Sequence, residues 1–72
     1  MSTHIHSVYA YEEDGYTPIK LLNWMRKHNI IPIKKAHKIG EQIRYRIKKP
    51  DLTKSYSTIV LPNRIHLVVQ SN

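Results

Sequence analysis

Residues 42–49 read Gln-Ile-Arg-Tyr-Arg-Ile-Lys-Lys, and this stretch decides the fold. Apolar and aromatic residues alternate here with polar and basic ones, and successive side chains of a β-strand point to opposite faces of a sheet. One face of the strand would carry three core side chains, Ile43, Tyr45 and Ile47. The opposite face would carry three cations, Arg44, Arg46 and Lys48. The pattern therefore predicts a sheet with one face over a core and one cationic face in solvent.

A helix is predicted from Pro18 to His28. Thr17 can cap it through its hydroxyl, and Pro18 suits the first helical position because the amide that proline lacks would be unpaired there. Apolar residues then recur at spacings of three and four, and Asn29 suits the stop. The predicted packing stripe consists of Leu21, Leu22, Met25 and His28, with Ile19 and Trp24 on its flanks.

Three further stretches are rich in β-branched and aromatic residues and predict strands: residues 4–11, 55–61 and 64–70. In the first, strict alternation would place Ile5, Ser7, Tyr9 and Tyr11 on one face. In the last, Ile65, Leu67 and Val69 would be buried, and Arg64 and His66 would point the other way. A turn at Lys49-Pro50-Asp51 would end the central strand, because proline offers no amide to the ladder.

The last two strands would form a hairpin around Pro62-Asn63, with two possible registers. A two-residue loop would put Val60 opposite Ile65. A bulged loop would instead put Leu61 opposite Ile65 and Ile59 opposite Leu67.

The resulting order is β-α-β-β-β in a single α+β domain spanning residues 1–72, with one helix packed on a mainly antiparallel sheet. The alternative is a winged helix-turn-helix in which residues 32–39 form a second helix, with Lys34, Lys35 and Lys38 on a reading helix. The single-helix sheet is favoured, because that second helix would be only eight residues long with a poor apolar stripe.

Charge is the strongest global feature of the chain. Twelve Lys and Arg residues against five Asp and Glu give a net charge of +7, and eleven of the twelve lie between Lys20 and Lys54. Such a concentration is typical of proteins that bind nucleic acids.

Catalytic and metal-binding patterns are weak, and we predict a protein that is not an enzyme and needs no cofactor. The chain has no cysteine, and its two glycines form no phosphate-binding loop. His4 and His6 could share one strand face, but zinc needs a third protein ligand that the spacing does not supply. Ser55 and Ser57 lie near no recognisable general base in the sequence.

The predicted function is a small accessory protein that binds DNA or RNA through phosphate contacts on a cationic sheet face. Eight side chains form the predicted site: Lys34, Lys35, Lys38, Arg44, Arg46, Lys48, Arg64 and His66. Tyr9, Tyr11 or Tyr56 could stack on unpaired bases if they lie on the same face.

The alternative is a protein-interaction module or inhibitor that docks its basic face on an acidic protein. Aromatic residues among the cations would favour nucleic acid, whereas a basic rim around an exposed apolar patch would favour a protein. The sequence also predicts an intracellular protein, cytoplasmic or nuclear, without a membrane role. Formation of a homodimer or binding to a partner could add stability that its small core lacks, and its length fits a stand-alone factor of a virus or phage.

Overall fold

Five antiparallel strands and one helix make up the α+β fold in the computed structural model, which describes residues 3–49 and 53–71. In chain order the elements are β1 (Thr3–Tyr11), a short 3-10 helix (Glu12–Asp14), α1 (Pro18–Lys27), β2 (His37–Ile39), β3 (Gln42–Arg46), β4 (Ser55–Val60) and β5 (His66–Ser71). The strands lie in the order β2-β3-β1-β5-β4, so β1 is central. The predicted fold class, one helix on an antiparallel sheet, is confirmed.

The sheet contains one strand more than the predicted β-α-β-β-β order. Residues 37–39 form β2, which pairs with β3 through a two-residue loop at Gly40 and Glu41. Gly40 has φ of +57°, a left-handed conformation that glycine adopts without strain. The winged helix-turn-helix is therefore wrong: in the segment that it needed as a helix, Ile33 donates its amide to the Arg46 carbonyl, at 2.9 Å, and a strand follows.

Helix α1 begins as predicted, with the Thr17 hydroxyl accepting a hydrogen bond from the Lys20 amide at 3.1 Å. Leu21 and Met25 of the predicted packing stripe are buried and Leu22 packs partly buried against them, whereas Ile19 on the flank is 71% exposed. His28 lies just beyond the helix, where its ring stacks on Trp24 at 4.2 Å between ring centroids. Trp24 itself packs against the core, whereas His28 is exposed.

The core lies between α1 and the central strands. Val8 and Ala10 of β1 face Tyr45 and Ile43 of β3, and all four are buried. The Tyr45 hydroxyl donates to the Pro18 carbonyl at 3.0 Å, and burial raises the pKa of this phenol. The core role predicted for Ile43 and Tyr45 is confirmed. Ile47 lies beyond the end of β3, where it is half-buried and packs against the same core.

A bulge at His6 changes the faces of β1. Ile5 lies opposite Val69, yet Ser7 lies opposite Val68, so two residues of β1 correspond to one step of β5. The alternation predicted through residues 4–11 is therefore wrong at its start. Ile5 moves to the core side with Val8, while Ser7 and the two tyrosines after it keep to the opposite face.

The β4–β5 hairpin adopts the bulged register, with Ile59 opposite Leu67 and the Leu61 amide bonded to the Ile65 carbonyl at 2.9 Å. Strand β5 begins at His66, two residues later than predicted. Arg64 therefore lies in the turn, at φ of +67°. The predicted turn at Pro50-Asp51 lies outside the described residues.

Among the described residues, no helix has the length and apolar content required to cross a membrane.

Candidate nucleic-acid interface

The sheet face turned away from α1, called the open face below, carries a row of five side chains that crosses all five strands. The register aligns His37 of β2, Arg44 of β3, Tyr9 of β1, His66 of β5 and Val60 of β4. Adjacent strands lie about 4.8 Å apart, which brings neighbouring side chains of such a row into contact.

The middle of this row is a stack of three planar groups. The guanidinium carbon of Arg44 lies 4.8 Å from the centroid of the Tyr9 ring. On the other side, the His66 ring stacks on Tyr9 at 4.5 Å, with an angle of 9° between the planes. Tyr11 meets both rings edge-on, at 5.9 Å and 5.5 Å between centroids. The predicted cation Arg44 and the predicted stacking residue Tyr9 therefore share the open face.

Beside this stack, a cationic groove of about 480 Å³ runs along β2 and β3. No carboxylate is among its lining residues. The groove is lined by four cations and an imidazole: Lys34, Lys35, Arg44, Arg46 and His37. The groove arises because the bond from the Ile33 amide to the Arg46 carbonyl holds the two lysines beside β3. Four of the eight predicted site residues thus come together in the cationic groove, and His66 lies two strands away in the same row as Arg44.

The other three predicted cations lie elsewhere. Lys38 pairs with Ile43, whose side chain is in the core, and its ammonium lies 2.9 Å from a carboxylate oxygen of Glu12. Arg64 donates to Asp14 at 2.7 Å, and this hydrogen bond, together with the charge of Asp14, raises the pKa of the guanidinium. Lys48 is exposed beyond the end of β3.

His6, at the bulge in β1, is 8% exposed. Its ring meets Tyr56 edge-on at 4.9 Å, and neither ring nitrogen has a hydrogen-bond partner within the described part of the chain. Burial lowers the pKa of His6, and the charges of Arg46 and Arg44 lower it further. The folded protein therefore disfavours the protonated form of this imidazole.

Sequence reasoning missed His37, because the alternation that reveals a strand cannot be seen in a segment of three exposed residues. It included Tyr9 among the residues that could stack on bases, but its place between Arg44 and His66 follows only from the pairing of β1 with β3 and β5. The glycine at position 40, one residue after β2, was the available signal for a hairpin.

A second groove, called the apolar groove, lies between the end of α1 and the extended segment that follows it. Its volume is about 590 Å³. Leu22, Ile30, Ile31 and Ile33 contribute apolar surface, and Ile31 is 77% exposed. Its charged lining residues are all basic: Arg26, Lys34 and Lys35. The two lysines therefore form the wall that the apolar and cationic grooves share.

Histidine and acidic side chains do not gather into a group of three that could hold a metal ion in residues 3–49 and 53–71. Comparison of the chain with protein-family models, with curated proteins and with solved structures found no match.

Proposed function

We propose that this protein binds nucleic acid, with the cationic groove contacting the phosphate backbone. The observation that carries the proposal is the convergence of Lys34, Lys35, Arg44 and Arg46 on one groove without a carboxylate among its lining residues. Cations brought together on a small protein repel one another, and an anionic ligand relieves that repulsion. A polyphosphate chain supplies negative charge at regular intervals along such a groove.

The stack on the open face supports the same function. Arg44 is held over Tyr9 by a cation–π contact, so its charge is fixed before a ligand arrives. A fixed cation loses less conformational entropy on binding than a free surface lysine does. Aromatic side chains among the cations, here Tyr9, Tyr11 and His66, are the feature expected of a nucleic-acid surface.

Titration of fluorescently labelled oligonucleotides, single-stranded and double-stranded, at two salt concentrations tests this proposal. Binding should be strong at ~50 mM salt and weaken steeply towards ~200 mM, because each phosphate contact releases condensed counterions. Failure to bind either form at the lower salt concentration would contradict the proposal.

The second candidate is an interaction module for an acidic protein, and the apolar groove favours it. Ile31 and Ile33 are exposed beside three cations in this groove. Such a surface is complementary to a peptide segment that carries both apolar side chains and carboxylates. A labelled amphipathic peptide rich in Leu and Glu provides the probe. If this candidate is correct, Ile31→Ser should weaken peptide binding and leave oligonucleotide binding unchanged.

A further inference from the structure

The stack of Arg44, Tyr9 and His66 leaves one of its ends inside the cationic groove. Tyr9 belongs to the central strand, with Arg44 on one neighbouring strand and His66 on the other, so both faces of its ring are covered. On its other side, Arg44 pairs with His37 of β2, and both residues line the cationic groove. That end of the stack is the place where another planar group can be added.

The space at this end suits one nucleotide. A volume of about 480 Å³ falls within the ~300–1,000 Å³ of small-molecule sites. Unpaired bases in complexes with proteins stack on aromatic rings and on arginine guanidinium groups. Arg44 and His37 both line the groove and offer one group of each kind, whereas both ring faces of Tyr9 are already in use.

A buried polar atom of Arg44 supports a ligand at this position. In the described residues, the Nε atom of Arg44 is buried and has no hydrogen-bond partner. A buried N–H that makes no hydrogen bond is costly, and a bound ligand or water that accepts from it removes the cost.

We propose that the cationic groove takes an unpaired nucleotide, with its base stacked against the groove-lining side chains of Arg44 and His37 and the flanking phosphates on Lys34, Lys35 and Arg46. This inference rests on the proposed nucleic-acid function and makes the ligand a single strand. A base within a duplex is stacked on both sides and paired at its edge, so it cannot enter the groove without being extruded.

The test compares a single strand, a duplex of the same sequence and a single strand of the same length whose bases have been removed. The intact single strand should bind about tenfold more tightly than the abasic strand, which corresponds to stacking of one base. It should also bind more tightly than the duplex. The abasic strand keeps the phosphates and needs no protein variant, so this comparison does not depend on the folding of a mutant.

His37→Ala provides the residue-level test, with His28→Ala as the matched control at an exposed position beside the helix. His37→Ala should lower single-strand affinity about tenfold while leaving abasic-strand affinity and the salt dependence unchanged. His28→Ala should change neither affinity.

Two failures of the test are distinguishable. If all three ligands bind equally and with steep salt dependence, the base-binding inference is overturned and the phosphate-binding function stands. If none of them binds at ~50 mM salt, the proposed function itself is contradicted.

Discussion

The guanidinium carbon of Arg44 lies 4.8 Å from the centroid of the Tyr9 ring, across the pairing of β3 with β1. This contact links the two halves of the open face, because Tyr9 stacks on His66 of β5 on its other side. Strand β3, which alternates core and cationic residues, thus holds Arg44 in a fixed position. Arg44 lines the cationic groove together with Lys34 and Lys35.

The contrast between Lys35 and Lys38 gives a direct prediction for binding. Lys35→Ala should weaken oligonucleotide binding and reduce the slope of log K against log salt by about 0.7–0.9, the value of one phosphate contact. Lys38→Ala should have little effect on either quantity, because Lys38 lies 2.9 Å from Glu12 and lines neither groove. The two variants remove the same charge from positions three residues apart. Equal losses of oligonucleotide affinity in both would contradict binding at the cationic groove.

The buried histidine predicts how stability depends on pH. Burial and the charges of Arg46 and Arg44 lower the pKa of His6 in the folded state below the ordinary value near 6.5, so the unfolded chain binds protons more readily. The free energy of unfolding should therefore be unaffected by His6 above about pH 7.5, and fall as the pH drops through 6.5 towards the folded-state pKa.

The variant His6→Leu should lose this part of the pH dependence, because it removes the titrating group. It should also unfold no more readily than the parent at neutral pH, since the ring nitrogens it replaces have no partner within the described residues. Urea denaturation between about pH 7.5 and pH 5 measures both effects. The same loss of stability in the parent and in His6→Leu would show that other groups cause it.

Packing of α1 on the sheet predicts that an alanine substitution lowers the free energy of unfolding much more at Met25 than at Ile19. Met25 is fully buried, so Met25→Ala should lower the free energy of unfolding by about 2–5 kcal/mol. A domain of this size is stabilised by only roughly 4–11 kcal/mol in total. Ile19→Ala, in the same helix but at a 71% exposed residue, should cost less than about 0.5 kcal/mol. Equal costs in urea denaturation would mean that α1 packs differently.

Much of this fold follows from local patterns in the sequence. Thr17 and Pro18 start the helix as capping chemistry requires, and the alternation of residues 42–46 places Ile43 and Tyr45 in the core. Strand β2 escaped detection because its three residues are all exposed and carry no apolar alternation. The bulge at His6 leaves no local signal, since it depends on how β1 pairs with β5.

The site was harder to predict because cations are sorted by contacts distant in the chain. Lys38 meets Glu12, and Arg64 meets Asp14, which lies 50 residues away from it in the sequence. Charge counting treats these two residues in the same way as Arg44 and Arg46. Only the fold distinguishes the cations that have a carboxylate partner from those that line the cationic groove.

The salt dependence of a double variant tests whether nucleic acid binds at the cationic groove. Arg44→Ala combined with Arg46→Ala removes two cations of the cationic groove, so the slope of log K against log salt should fall by about 1.4–1.8. Lys20→Ala combined with Lys27→Ala removes the same charge from exposed positions on α1 and should leave the slope nearly unchanged. An unchanged slope in the arginine variant, or an equal fall in both variants, would contradict binding at the cationic groove.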